Sequence, residues 1–81
     1  MIDESFKNRY IRVVKGSIGT FRELSVVTFG KDIRVDLNHD IEGKLIGIGK
    51  KGFQVLHKDY VYSFYYANAG YKILDYEQTI I

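Results

Sequence analysis

The chain has 81 residues, of which 46% are hydrophobic and 27% are charged, a composition typical of one soluble globular domain. It contains no cysteine, which excludes a disulfide framework and any cysteine-ligated zinc or iron–sulfur site. Twelve Lys and Arg against ten Asp and Glu leave a net charge of +2, which does not by itself indicate a nucleic-acid or membrane partner. We therefore treat residues 1–81 as a single domain.

The N-terminal residues 1–9 are polar, and no run in the chain approaches the ~18–20 apolar residues that a membrane span needs. These two features predict a cytoplasmic protein with no membrane partner. Residue types with AT-rich codons outnumber Gly, Ala, Arg and Pro. This skew hints at an AT-rich genome, such as that of a bacterium, a phage or another mobile element.

Apolar and polar residues alternate along most of the chain, which is typical of strands with one buried face. The clearest case is 31–37, where Ile33, Val35 and Leu37 alternate with charged residues. In chain order the seven predicted strands are Tyr10–Lys15, Phe21–Phe29, Lys31–Leu37, Gly43–Ile48, Phe53–Lys58, Tyr60–Tyr66 and Tyr71–Tyr76. Asp3–Arg9 fits either a loop or one helical turn. Thr20–Glu23 matches a helical capping box, but the Val and Thr residues after it favour a strand.

Short segments that contain glycine or asparagine separate these strands, and we expect those residues to supply positive φ at the bends. Turns spaced by ~8–12 residues are typical of a small sandwich or barrel. The predicted core consists of Ile11, Val13, Leu24, Val26, Ile33, Val35, Leu37, Leu45, Ile46, Ile48, Val55, Phe64 and Ile73.

One sequence motif, Gly47–Gly52 (GIGKKG), matches the Gly-x-Gly-x-x-Gly pattern of dinucleotide-binding folds. That pattern requires a helix after the glycines, whereas Phe53–Leu56 has the character of a strand. We therefore predict a hairpin turn here, with contact between Lys50 or Lys51 and an anion as the alternative.

Nothing in the chain indicates catalysis. His39 and His57 lack metal-ligand spacing, the serines lie in no nucleophile context, and the carboxylates alternate with basic residues on strand faces. We predict a protein that is not an enzyme, with no catalytic residue, no metal and no cofactor.

The tyrosines are the most informative residues. Tyr60, Tyr62, Phe64 and Tyr66 share one face of a strand, and Tyr65 lies among them in the sequence. They form either a core and its rim or an exposed platform that stacks bases or anchors a protein. Basic residues concentrate in 1–58, with eleven Lys and Arg against seven Asp and Glu. Basic residues in the turns of this segment either bind a phosphate backbone or are the ordinary surface charge of a protein.

The segment Tyr10–Gly19 (YIRVVKGSIG), followed by Leu24–Val27 (LSVV), resembles the opening of a KOW-type SH3-like barrel. Glu23 or Leu24 stands where that family has its second glycine. Gly43–Ile48 (GKLIGI) is similar to the central strands of Sm-like barrels. The resemblance implies contacts with RNA or with the transcription and translation machinery.

Together these features predict an all-β fold, a small SH3-like or Sm-like barrel of five to seven mostly antiparallel strands. The first hypothesis for its function is a binding module for RNA, single-stranded DNA or a nucleotide. The second is a protein-binding adaptor or inhibitor of phage type, which acts on a host protein. The third is a structural or ligand-sequestering homo-oligomer. For the first two hypotheses the predicted contact residues are Arg12, Lys15, Lys50, Lys51, Tyr62, Tyr65 and Tyr66.

Overall fold

The computed structural model describes residues 1–24 and 32–74. Within them the strands are β1 (Tyr10–Val13), β2 (Ile18–Glu23), β3 (Ile33–Asp36), β4 (Ile41–Ile48), β5 (Gly52–His57), β6 (Tyr60–Tyr65) and β7 (Tyr71–Ile73). Two short 3₁₀ turns, Glu4–Phe6 and Tyr66–Asn68, complete the described elements. Neither turn has the length or apolarity that a membrane-crossing helix requires, and the described residues form no other helix.

Each of the seven predicted strands is confirmed in its order along the chain. The largest shifts are at β2, which begins at Ile18 rather than Phe21, and at β7, which ends at Ile73. The predicted continuations over 25–29 and 75–76 lie outside the described residues. Thr20–Glu23 is a strand, as the β-branched residues after it favoured. Of the two alternatives for Asp3–Arg9, the structure shows one short 3₁₀ turn, Glu4–Phe6. The Asp3 carboxylate accepts a hydrogen bond of 2.8 Å from the Ser5 N–H, and this bond lowers the pKa of Asp3.

All seven strands belong to one antiparallel sheet with the order β3-β2-β6-β5-β4-β1-β7. The all-β, antiparallel expectation is therefore confirmed. The described pairings leave β3 and β7 at opposite ends of the sheet and do not join them. Closure into an SH3-like or Sm-like barrel stays a prediction.

One face of the sheet, which we call the inner face, carries the hydrophobic core. Its buried cluster consists of Ile2, Ile11, Val13, Leu37, Ile41, Leu45, Phe53, Val55 and Phe64. Six members of the predicted core belong to this cluster, and Val35, Ile48 and Ile73 pack against it. Alternation along each strand sends the intervening residues to the opposite, outer face.

The core prediction is wrong at three described residues, of which Leu24 and Ile33 are mostly exposed. Leu24 is 54% exposed because it follows the last residue of β2. Ile33 is 57% exposed because β3 is an edge strand. Val26 lies outside the described residues.

Ile46 is a third exception, because β4 contains a β-bulge at this residue. Leu45 pairs with Val55 and Gly47 with Gln54, so β4 uses one more residue than β5 over the same distance. Ile46 is the extra residue, and it is not among the side chains that pack against the core. The bulge also returns Ile48 to the inner face, opposite Phe53.

Residues 47–52 form the predicted hairpin turn between β4 and β5. The Gly49 N–H donates to the Gly52 carbonyl at 2.9 Å, which closes the turn. In the described chain positive φ occurs at Asn8, Gly16 and Lys58, so the expectation is confirmed at Gly16 in the β1–β2 turn and is wrong for the glycines of this hairpin. Gly52 is required for a different reason, since a Cβ there would overlap the Phe64 carbonyl oxygen of β6.

Candidate functional site

A row of small and polar residues crosses the outer face of four neighbouring strands. Strand register places Thr20 of β2 opposite Ser63 of β6, Ser63 opposite Gln54 of β5, and Gln54 opposite Gly47 of β4. The Gln54 amide donates to the Ser63 hydroxyl at 3.4 Å. Because Gly47 has no side chain and those of Thr20 and Ser63 are short, the row leaves a depression in the face.

The depression belongs to a groove with a volume of about 570 Å³. This volume falls within the ~300–1,000 Å³ of small-molecule sites. The groove is lined by Gly19, Thr20, Asp32, Gly47, Ile48, Gly49, Gly52, Phe53, Gln54, Ser63, Phe64 and Tyr65. Its polar atoms include amide, hydroxyl and carboxylate groups, which together supply both hydrogen-bond donors and acceptors.

The β4–β5 turn forms the basic end of this groove. Gly49 and Gly52 line the groove, and Lys50 and Lys51 between them are exposed. The Lys51 carbonyl accepts a hydrogen bond of 3.0 Å from the Tyr66 N–H, which ties the turn to the end of β6. Two cations therefore stand beside the groove on a hydrogen-bonded support.

Tyr65 is the exposed aromatic residue of the groove. It lies opposite Gly52 in the β5–β6 pairing, and 62% of it is accessible to solvent. Glycine offers no side chain to cover the phenol ring from that neighbouring position. The structure thus brings together three of the seven predicted contact residues, Lys50, Lys51 and Tyr65.

Tyr66 follows Tyr65 in the chain, but its ring is packed against other aromatic rings and its hydroxyl forms two hydrogen bonds within the protein. Its ring packs against Phe53 and Tyr71, with ring centroids 5.5 and 6.0 Å away. Its hydroxyl donates to the Gly49 carbonyl at 2.9 Å and accepts from the Ile2 N–H at 3.1 Å. This residue supports the turn and the N-terminus from the inner side.

Tyr62 lies on the inner face, on the side of β6 opposite to Ser63 and Tyr65. Its ring stacks on those of Phe21 and Phe64, at centroid distances of 5.6 and 6.1 Å. Burial raises the pKa of the Tyr62 phenol, and the neighbouring Tyr60 phenol adds to the shift. The predicted platform of Tyr62, Tyr65 and Tyr66 is therefore divided between two faces of the sheet.

The two remaining predicted residues lie away from the groove. Arg12, on β1, forms an ion pair of 2.8 Å with Glu42 of β4. Lys15 is exposed in the β1–β2 turn, where its N–H donates to the Asp40 carboxylate at 2.7 Å. It lines a separate hollow of about 380 Å³ next to the Tyr66–Asn68 turn.

The histidines occupy positions with local partners. His57 Nδ1 lies 2.7 Å from the Glu42 carbonyl oxygen, and since a carbonyl only accepts, Nδ1 carries the proton. His39 Nδ1 lies 2.6 Å from the Asn38 side-chain oxygen. Among the described residues no group of three or more His, Asp or Glu side chains is placed to hold a metal ion.

Sequence reasoning missed the polar row, because Thr20, Gln54 and Ser63 appear in the sequence only as ordinary outward residues of three strands. The pairing of those strands is what aligns them, and no local signal specifies it. The carboxylates were expected only to alternate with basic residues on strand faces, yet Asp32 lines the groove.

No protein-family model matches the chain, and neither a curated protein nor a solved structure matches it. The resemblance to KOW-type and Sm-like barrels stays a prediction made from the residues.

Proposed function

We propose that this protein is a non-enzymatic, cytoplasmic binding module for RNA, single-stranded DNA or a nucleotide, and that the ligand occupies the outer-face groove. The observation that carries the proposal is the exposed Tyr65 ring beside the Lys50–Lys51 turn. The SH3-like or Sm-like barrel expected from the sequence belongs to the same proposal.

Stacking on Tyr65 accounts for the contact with a base. Every nucleobase has a π-face, and one base stacked on an aromatic side chain contributes about 1–3 kcal/mol in single-strand binding proteins. The neighbouring Gly52 leaves room for the base next to the phenol ring.

Lys50 and Lys51 account for the contact with phosphate. Both are exposed on a turn that hydrogen bonds hold to β6, so they are positioned near Tyr65 before a ligand arrives. Arg12 is the weaker candidate for this role, because Glu42 already engages its guanidinium group.

The polar row and Asp32 account for contacts with the edge of a base. Gln54 offers an amide that both donates and accepts, Ser63 and Thr20 offer hydroxyls, and Asp32 accepts from exocyclic amino groups. These groups favour a single-stranded or mononucleotide ligand, whose base edges are free, over a duplex.

A protein-binding adaptor or inhibitor of phage type is the second candidate function. The exposed apolar side chains of Ile18 on β2, Leu24 just after β2 and Ile33 on β3 favour it, because such residues anchor protein partners. Under this alternative, substitution of apolar and aromatic residues would weaken binding far more than reversal of the lysines.

Binding of a labelled single-stranded oligonucleotide, in RNA and DNA forms, tests the proposal by fluorescence anisotropy. We expect Lys50→Glu/Lys51→Glu to abolish binding and Tyr65→Ala to weaken it by about 5- to 150-fold, the equivalent of ~1–3 kcal/mol. The wild-type affinity should fall steeply with salt, with a slope of about −0.7 per phosphate contacted. Competition by mononucleotides then shows whether a single nucleotide is enough to occupy the groove or a longer strand is required.

Two matched variants serve as controls. Lys7→Glu/Lys72→Glu makes the same change in charge at residues outside the groove, and Tyr60→Ala removes a partly exposed tyrosine from the inner face. Both should bind nearly as well as the wild type. Equal losses in control and groove variants, or wild-type binding that does not respond to salt, would contradict the proposal.

A further inference from the structure

The free edge of β3 combines an unpaired strand with an exposed apolar side chain. In the described part of the chain β3 pairs with β2 on one side and is the last strand of the sheet on the other. Ile33, at its start, is 57% exposed. Edge strands of this kind are templates for pairing with another strand.

The backbone directions of β3 follow from the hydrogen bonds at its end. The Leu37 N–H donates to the Ser17 carbonyl at 2.9 Å, and the Leu37 carbonyl accepts from the Gly16 N–H at 2.8 Å. Leu37 therefore directs its backbone groups toward the β2 side. Because the direction alternates along a strand, Ile33 and Val35 do the same, and Arg34 and Asp36 present their N–H and C=O groups to the free edge.

An antiparallel pair of two β3 strands has three symmetric registers within this segment, centred on Arg34, Val35 or Asp36. A centre at Arg34 puts two arginines opposite each other and Asp32 opposite the partner's Asp36. A centre at Asp36 puts two carboxylates opposite each other. Like charges directly opposite destabilise a strand pair.

The register centred on Val35 has no such conflict. It places Arg34 opposite the partner's Asp36 and Asp36 opposite the partner's Arg34. These residues are also the ones whose backbone groups face the edge, so the two pairs supply four backbone hydrogen bonds. Charged side chains on an edge strand normally prevent it from pairing with another strand. Here Arg34 and Asp36 instead place opposite charges across the edge when two copies of β3 pair.

We propose that β3 is a dimerisation edge, where a second copy of this chain adds its β3 antiparallel across a two-fold axis at Val35. In this dimer the exposed Ile33 lies opposite the partner's Leu37 on the inner face. Residues directly opposite in an antiparallel pair share a face, so both grooves open on the same side of a continuous sheet. The dimer is independent of any ligand.

Sedimentation velocity over a wide range of protein concentrations, without nucleic acid, tests the proposal. The wild type should shift with concentration from 9.4 kDa toward twice that mass. Arg34→Asp leaves two carboxylates facing those of the partner, and Asp36→Arg leaves two guanidinium groups facing those of the partner. Each variant alone should remain monomeric at concentrations where the wild type is dimeric.

Mixing the two variants distinguishes the interface from an effect inside one chain. Within one chain Arg34 Nε lies 3.7 Å from Asp36 Oδ1, and both side chains are mostly exposed. This ion pair therefore contributes little to the free energy of unfolding. In an equimolar mixture every Asp at position 34 or 36 meets an Arg of the other variant, and we expect dimers to return. A monomeric wild type at all concentrations, single variants that dimerise like the wild type, or a mixture that stays monomeric would each overturn the proposal.

Discussion

Three tyrosines within five residues have three different environments, and their neighbours explain each one. Tyr62 is stacked on the inner face, Tyr65 is exposed beside the groove, and Tyr66 is held by two hydrogen bonds. The first two differ because odd and even residues of β6 face opposite sides of the sheet. Tyr66 differs because the strand has ended and a 3₁₀ turn directs its side chain toward Phe53.

The Tyr66 hydroxyl should contribute to stability, whereas that of Tyr65 should not. Tyr66→Phe removes the partner of both the Gly49 carbonyl and the Ile2 N–H, and we expect a loss of about 1–2 kcal/mol in the free energy of unfolding. In a domain of this size that lowers the melting temperature by roughly 4–8 °C per kcal/mol. Tyr65→Phe is the matched control, and equal melting temperatures for the two variants would argue against this role for Tyr66.

At the scale of elements, the β4–β5 hairpin shows why glycine occurs where it does. The three glycines of the motif match a dinucleotide-binding pattern, but none of them has the positive φ that a left-handed turn would need. Gly52 instead allows β6 to approach β5, since a Cβ would overlap the Phe64 carbonyl oxygen. Gly49 has more room, as a Cβ there would lie 3.5 Å from the Gly52 oxygen.

This difference predicts opposite outcomes for two substitutions in the same turn. Gly52→Ala should destabilise the protein by about 1–3 kcal/mol, because backbone atoms of two paired strands must move apart. Gly49→Ala should have little effect or stabilise slightly, because alanine restricts the unfolded chain. Urea denaturation of both variants measures the difference. The steric explanation fails if Gly49→Ala is the more damaging of the two.

At the scale of the whole molecule, residues far apart in the chain complete one core. Ile2 is 5% exposed and belongs to the buried cluster, and its N–H bonds to Tyr66, sixty-four residues away. Phe6 packs against the same cluster. The polar N-terminal segment, which the sequence marked only as a helical turn or a loop, is thus part of the folded unit.

Ile2 and Ile33 offer a direct comparison of two isoleucines. Ile2→Ala should cost about 2–5 kcal/mol, because it leaves a cavity in the core. Ile33→Ala should change stability by less than about 0.5 kcal/mol when measured at low protein concentration, because that side chain is mostly exposed. Thermal or urea unfolding of the two variants measures both changes in the free energy of unfolding. A larger loss for Ile33→Ala would contradict the assignment of the core.

The sequence alone determined the number, order and approximate position of the strands, because alternation and turn residues are local properties. It also predicted contact roles for Lys50, Lys51 and Tyr65, which the structure places beside one groove, since lysines in a turn and an aromatic strand are visible without knowledge of the pairing. The hairpin over 47–52 followed from the apolar strand after the glycines.

Only the tertiary structure decided which of these residues meet. The bulge at Ile46, the exposure of Ile33 and Leu24, and the division of the tyrosines depend on which strands pair and in what register. The row from Thr20 to Gly47 joins residues of four strands, and the buried Ile2 depends on a partner at the other end of the chain. Such features arise from contacts between residues distant in sequence. The free energy of those contacts depends on which strands pair, and no local sequence pattern specifies that pairing.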